Sequence, residues 1–331
     1  MNGLTPIPAE LISLELSEDA FVEKALEVFG FQYARNPTYR AFTDAIGIRP
    51  EQVDALEKIP FLPIQFFKKY RILSNDGSFD TVFRSSTTTG GVPSEHYIAS
   101  LGVYDRSLSE GFRLFYGDPK EYCIIGLLPS YLERGDSSLV YMVQSWIEQS
   151  ENRDSGFYLY DYPGLVQKLV RLNDSRQKTL LVGVTYALVD LAEQYDLHLG
   201  STILLETGGM KGRRRELIRE ELHELLMKKL RPLRIDSEYG MTELLSQSYK
   251  IGDKPFRPVP WKRVFGRAIN DPMGPFSDKT GKLHVIDLAN VYSCAFIATE
   301  DIGKVYLDGT FDVLGRYDHA EARGCNLMLS L

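Results

Sequence analysis

Short apolar runs alternate with amphipathic segments from Thr81 to about Ser248, and this rhythm limits the fold more than any other feature. Tyr122 to Leu128 and Thr179 to Val184 read as buried strands, and Ser201 to Leu205 as a shorter one. Helical patterns lie between and after them. In Glu216 to Leu230, for example, Leu217, Ile218, Leu222, Leu225 and Leu226 share one face. Strand-then-helix alternation predicts an α/β core with a largely parallel sheet. Ligands of such sheets collect at the carboxyl ends of the strands, so the loops there are where chemistry is expected.

The flanks read differently. Residues before about Gly77 look mainly helical, with Ser17 as an N-cap and Phe21, Val22, Ala25, Leu26 and Phe29 on one apolar face. The aromatic segment Phe61 to Phe67 contains Pro63 and suits core or lid packing better than a cofactor box. After Pro255, prolines 255, 258, 260 and 272 punctuate a linker. Strand-like pieces follow around Leu283 to Leu288, Cys294 to Ala298, Val305 to Leu307 and Phe311 to Leu314. The expected organisation is a helical N-terminal segment (1–76), an α/β core (77–254) and a small β-rich C-terminal subdomain (255–331).

With 331 residues, 44% of them hydrophobic, the chain can build one large domain or two closely joined ones. A formal net charge of -7 argues against nucleic acid as a partner. Met1 to Leu16 has no basic region leading into an apolar run, and no apolar stretch is long enough to span a bilayer. A cytoplasmic protein without membrane insertion is expected. The three cysteines have no close spacing, so a disulfide framework and a zinc site are both disfavoured.

Four segments carry residue types suited to one chemistry. Ser85-Ser86-Thr87-Thr88-Thr89-Gly90-Gly91 is not a Walker loop, because no Gly-Lys-Ser/Thr follows. Its hydroxyls and amides could wrap phosphate oxygens, or it could be a Ser/Thr-rich turn. Glu206-Thr207-Gly208-Gly209-Met210 follows a strand; its paired glycines would let the backbone lie flat on a planar ligand, or simply make a strand-to-helix turn. The basic run Lys211, Arg213, Arg214 and Arg215 is a solvated face or a phosphate contact. Ser237 to Glu243 holds Tyr239, Gly240, Thr242 and Glu243: a ring to stack on a purine, a glycine for close approach, a hydroxyl for phosphate and a carboxylate for magnesium. Finally, Thr299 to Gly303 and Gly315 to Asp318 supply Asp301 for ribose hydroxyls and Arg316 for ribose or phosphate, unless each is a hairpin turn.

In these segments, and in Leu128-Pro129-Ser130-Tyr131-Leu132-Glu133-Arg134-Gly135-Asp136-Ser137-Ser138, the sequence resembles the adenylate-forming superfamily of acyl-CoA synthetases, acyl-protein synthetases and luciferases. It is most similar to the acyl-protein synthetase (LuxE) branch, near phenylacetate-CoA ligase, from about Pro60 onward. The resemblance implies the large-domain fold of that superfamily without its mobile C-terminal domain and catalytic lysine. It implies ATP and Mg2+ as cofactors and formation of an acyl-adenylate from a carboxylic acid, a fatty acid being expected. Ser85, Ser86, Thr88, Thr89 and Gly90 would form the phosphate loop; Gly208, Gly209 and Tyr239, followed by Gly240, would hold adenine. Thr242 would bond the α-phosphate, Glu243 would bind magnesium, and Asp301 and Arg316 would hold the ribose. Thr87 and Ser94 depart from the glycine and lysine usual in the superfamily loop.

Cys123 and Cys294 lie in apolar runs and suit core positions. Cys325 follows Arg323-Gly324, which favours a thiolate on a mobile arm, although an incidental exposed thiol fits the same residues. The resemblance makes Cys325 the acyl-carrying cysteine; His319 is a candidate base for it or a structural histidine. The expected activity is therefore that of an ATP-dependent acyl-protein synthetase that transfers the acyl group to Cys325 or to a partner thiol, with a reductase or carrier protein as a candidate acceptor. A CoA ligase completed by a separate chain, and a binding module without turnover, are the alternatives.

Overall fold

The computed structural model describes residues 8–86, 91–129, 135–208, 218–271 and 273–317. Phe79–Val259 form one compact unit, and the described parts of Met1–Ser78 and Pro260–Leu331 form a second.

The first unit is built on a seven-stranded sheet. Its order is Arg257–Pro258, Ser248–Ile251, Arg234–Tyr239, Thr202–Thr207, Thr179–Val184, Cys123–Leu127 and Gly156–Tyr158. The five strands from Arg234–Tyr239 to Gly156–Tyr158 run parallel, and the last two pairings at the other edge are antiparallel. Cys123–Leu127, Thr179–Val184 and Thr202–Thr207 are buried along their whole lengths, as expected for parallel strands covered on both faces. Their contiguous apolar lettering is why they were visible in the sequence. Helices Leu101–Tyr116, Ser138–Ser150, Tyr162–Asp174, Thr185–Gln194 and Arg219–Leu230 supply the cover. Ser137 and Asp161 cap two of them, accepting from the amides of Val140 and Gly164. A separate hairpin pairs Thr81–Arg84 with Glu95–Ile98.

The second unit centres on the ten-residue strand Phe296–Val305. Gly281–Asp287 pairs along one edge, with Lys262–Arg267 beyond it. The other edge takes two partners in succession: Leu62–Pro63 in parallel, and Phe311–Arg316 antiparallel. The pieces expected at Cys294 to Ala298 and Val305 to Leu307 are thus one continuous strand up to Val305. The polar stretch Thr299 to Gly303 between them reads locally like a turn, yet neighbours on both sides hold it extended. Helix Glu18–Arg35 starts at Ser17, whose hydroxyl accepts from Ala20 N–H, and buries Phe21, Ala25, Val28 and Phe29. Gln32 on the same helix donates to the carbonyls of Asn290 and Val291 and accepts from Ala295 N–H, all within 3.0 Å. A ring cluster of Phe29, Tyr39, Phe61 and Phe296 completes this core.

Candidate functional site

Register in the parallel sheet aligns the strand ends. Leu127 is the partner of Gly183, Val184 of Thr207, and Thr207 of Glu238. The residues that follow (Leu128-Pro129, Thr185-Tyr186, Gly208 and Tyr239-Gly240) therefore emerge side by side at the carboxyl edge. Side-chain bonds join these exits. Tyr186 Oη donates to the Pro129 carbonyl at 2.6 Å. The Thr185 hydroxyl lies against the Gly208 carbonyl and, at 3.2 Å, against Glu206 Oε2. Gly208 has φ +70°, a left-handed value that favours glycine where the strand turns off.

Alternation along the strands puts Glu206 and Tyr239 on one side of the sheet and Thr207 and Glu238 on the other. On the first side, Arg219 Nε lies 3.5 Å from Glu206 Oε1, and its guanidinium stands 5.0 Å from the centre of the Phe256 ring. Phe256 in turn lies 5.9 Å from Tyr239, centroid to centroid. His223 is 4.0 Å from the same Glu206 oxygen; burial lowers its pKa while the carboxylate pulls it the other way. On the second side, Thr207 Oγ1 donates to Glu238 Oε2 at 2.5 Å.

Tyr239 ends its strand with only 9% of its surface exposed. Thr242 and Glu243 are the central residues of the turn that follows, closed by a 3.0 Å bond from Leu244 N–H to the Met241 carbonyl. Glu243 is buried and Thr242 half-buried. Among the described residues no group of three or more His, Cys, Asp or Glu side chains could hold a metal ion. A buried carboxylate next to a half-buried threonine fits magnesium in one specific manner, since that ion commonly takes one or two carboxylates together with substrate phosphates and water.

The hairpin carrying the Ser/Thr segment is tied to this edge. At its loop end Ser85 N–H donates to the Ser94 carbonyl at 3.0 Å, and Ser94 N–H donates to Ser85 Oγ at 2.8 Å. Ser94 is buried where the hairpin closes. Arg84 N–H donates to the Asp136 carbonyl at 2.8 Å, while its guanidinium meets Glu95 at 2.9 Å and Asp136 at 3.5 Å. On the adjacent strand, fully buried His96 bonds the Thr242 carbonyl through Nδ1 at 2.7 Å. Burial pushes the His96 pKa down to about 4, so the ring is neutral near pH 7.

Of the sequence-predicted residues, Gly208, Tyr239, Gly240, Thr242 and Glu243 thus belong to one edge of the seven-stranded sheet; Ser85 belongs to the same unit, on the separate hairpin, and Ser86 is exposed beside it. Thr87, Thr88, Thr89, Gly90, Gly209, Tyr131, Arg134, His319 and Cys325 lie outside the described residues. Asp301 and Arg316 belong to the other unit, where they are Cα partners across an antiparallel pair. Arg316 Nη2 donates to Glu300 at 3.2 Å, and Asp301 N–H donates to Thr299 Oγ1 at 3.1 Å. Cys123 and Cys294 are fully buried, and burial raises their pKa to about 11 and about 12. His96, Thr185, Arg84 and Arg219 carried no motif. Thr185 had one usable signal, its place directly after an apolar run.

No protein-family model matches the sequence, and no curated protein matches it. Solved structures do match by shape. A 2-hydroxyisobutyryl-CoA ligase in complex with 2-HIB-AMP superposes with a TM-score of 0.67 at 13% identity, over 91% of this chain and 68% of that one. ATP-bound MatB from Rhodopseudomonas palustris gives 0.54 at 18% identity, over 71% of this chain and 47% of that one. The long-chain-fatty-acid-CoA ligase FadD1 from Archaeoglobus fulgidus gives 0.51 at 13%, over 75% and 53%. The chain thus spans between about half and two thirds of the length of these proteins. No helix among the described residues is long and apolar enough to cross a membrane. The chain has the mixed α/β fold of adenylate-forming enzymes.

Proposed function

We propose that this protein activates a carboxylic acid with ATP and passes the acyl group to a thiol, as an acyl-protein synthetase acting on a fatty acid in the cytoplasm. The observation that carries this reading is the meeting of the Ser85 hairpin, the Pro129–Asp136 flanks, Gly208 and the Tyr239–Glu243 turn at one edge of the parallel sheet. Support also comes from the neighbours of the same fold, one of which holds an acyl-adenylate and another ATP.

In the first step a carboxylate oxygen attacks the α-phosphorus; the bond to the leaving pyrophosphate breaks, and the mixed anhydride forms. Tyr239 stacks on adenine, which Gly208 and Gly209 line, and Thr242 donates its hydroxyl to an α-phosphate oxygen. Ser85, Ser86, Thr88, Thr89 and Gly90 bind the outer phosphates. Glu243 would hold magnesium, which when bound offsets phosphate charge. In the second step the Cys325 thiolate attacks the acyl carbonyl, forming a thioester and releasing AMP. The acyl group then leaves for an external acceptor, a reductase or carrier protein.

A second reading, transfer to CoA, is favoured by the neighbours that are CoA ligases. ATP–pyrophosphate exchange with a panel of carboxylic acids tests the first step. Exchange with no acid of the panel would refute it. Thioester on the protein without CoA supports the first reading, and acyl-CoA formed only on adding CoA supports the second.

A further inference from the structure

We infer that His96 is a positioning residue, whose Nδ1–H holds the main chain of Thr242 and couples the Ser/Thr hairpin to the turn bearing Thr242 and Glu243. The inference rests on the nucleotide role proposed for that turn. The Nδ1 to carbonyl distance is 2.7 Å, and a carbonyl oxygen only accepts, so the hydrogen is on Nδ1. The imidazole is fully buried, where the tautomer and the ring position are both fixed by this bond.

Both ends of the link are anchored. His96 is the Cα partner of Phe83 in the hairpin, and Phe83 packs against Tyr104 and Tyr141 at 5.7 and 5.4 Å. Two residues before His96, Ser94 makes two hydrogen bonds with Ser85, accepting at its carbonyl and donating from its N–H. On the other side, Thr242 lies three residues after Tyr239, the last residue of a strand fixed by neighbours on both edges. A shift of the hairpin is therefore passed through one ring to the backbone of the residue proposed to bond the α-phosphate. Distance errors of about 1 Å at such a residue cost rate rather than folding.

Three full-length variants separate this role from packing. His96→Asn keeps an N–H donor close to the Nδ1 position, His96→Leu keeps bulk without a donor, and His96→Gln moves the donor outward. ATP binding without acid, followed by calorimetry, gives affinity and the fraction of binding-competent chains. Exchange with octanoate, dodecanoate and palmitate, expressed per competent chain, gives turnover. His96→Leu is expected to lower turnover about 10- to 100-fold, the range for leaving a buried acceptor without its donor, with the KM for acid within about threefold of wild type. His96→Asn should recover turnover to within about fivefold of wild type. Should His96→Leu fail to fold, the same contrast is read between Asn and Gln. Equal turnover in Leu, Gln and wild type, or an Asn form as slow as Leu, overturns the inference. A wild-type protein that neither binds ATP nor exchanges pyrophosphate removes the proposed function as well, and so is distinguishable from failure at residue 96 alone.

Discussion

The hydroxyl of Thr207 donates to the Glu238 carboxylate at 2.5 Å across two parallel strands, fixing that carboxylate two residues before Gly240. A Cβ at position 240 would run into it. Gly240→Ala must therefore displace a carboxylate that is already bonded, or shift the turn carrying Thr242. We expect ATP affinity to fall about tenfold, the scale of one lost hydrogen bond to a charged group, with Thr207→Ala restoring part of it. Titrating both forms with ATP checks this; additive losses in the double variant would count against the coupling.

Replacing Glu243 with Gln should slow magnesium-dependent adenylation by about 100-fold, as for loss of one charge-stabilising group. If that variant binds ATP and exchanges pyrophosphate as the wild type does, the site is elsewhere.

Incubation with labelled acid and ATP should give a protein label released by neutral hydroxylamine. Cys325→Ser should lose the label and keep pyrophosphate exchange. Cys123 and Cys294, buried with pKa values near 11 and 12, should resist thiol reagents at pH 8 in the native protein. Label on either of them would sink the assignment.

Each unit also contains a buried histidine with pKa pushed down to about 4: His96 in one and His284, edge-on to Phe61 at 5.1 Å, in the other. Unfolded histidine titrates near 6.5, so between pH 4 and 6.5 the unfolded chain binds more protons. Stability is therefore full above pH 6.5 and is lost as the pH falls towards 4. The loss from pH 7 to 4.5 is about 2–3 kcal/mol per histidine. Urea titrations at the two pH values measure it, and His284→Asn should flatten the dependence. An unchanged slope in that variant would show that His284 does not contribute to it.

Legibility in the sequence followed burial. Thr179–Val184 is legible at its true bounds and Cys123–Leu127 to within one residue, because a strand covered on both faces must be apolar throughout. Phe296–Val305 reads as separate pieces, because much of Thr299 to Gly303 is polar and its extended form comes from neighbours on both sides. The site divided in the same way. Tyr239, Gly240, Thr242 and Glu243 were visible as neighbours in one segment. His96 touches Thr242 across 146 positions, and nothing near either residue announces it.

The three bonds of Gln32 bear on how the chain is made. Its partners begin with Asn290, 258 positions downstream. At about 5–20 residues per second, they leave the ribosome roughly 13–50 s after Gln32 does. Phe79–Val259, contiguous in sequence, has all its strands in hand by then. The helix Glu18–Arg35 thus leaves the ribosome well before the residues that cover it, and its apolar face waits uncovered for that interval.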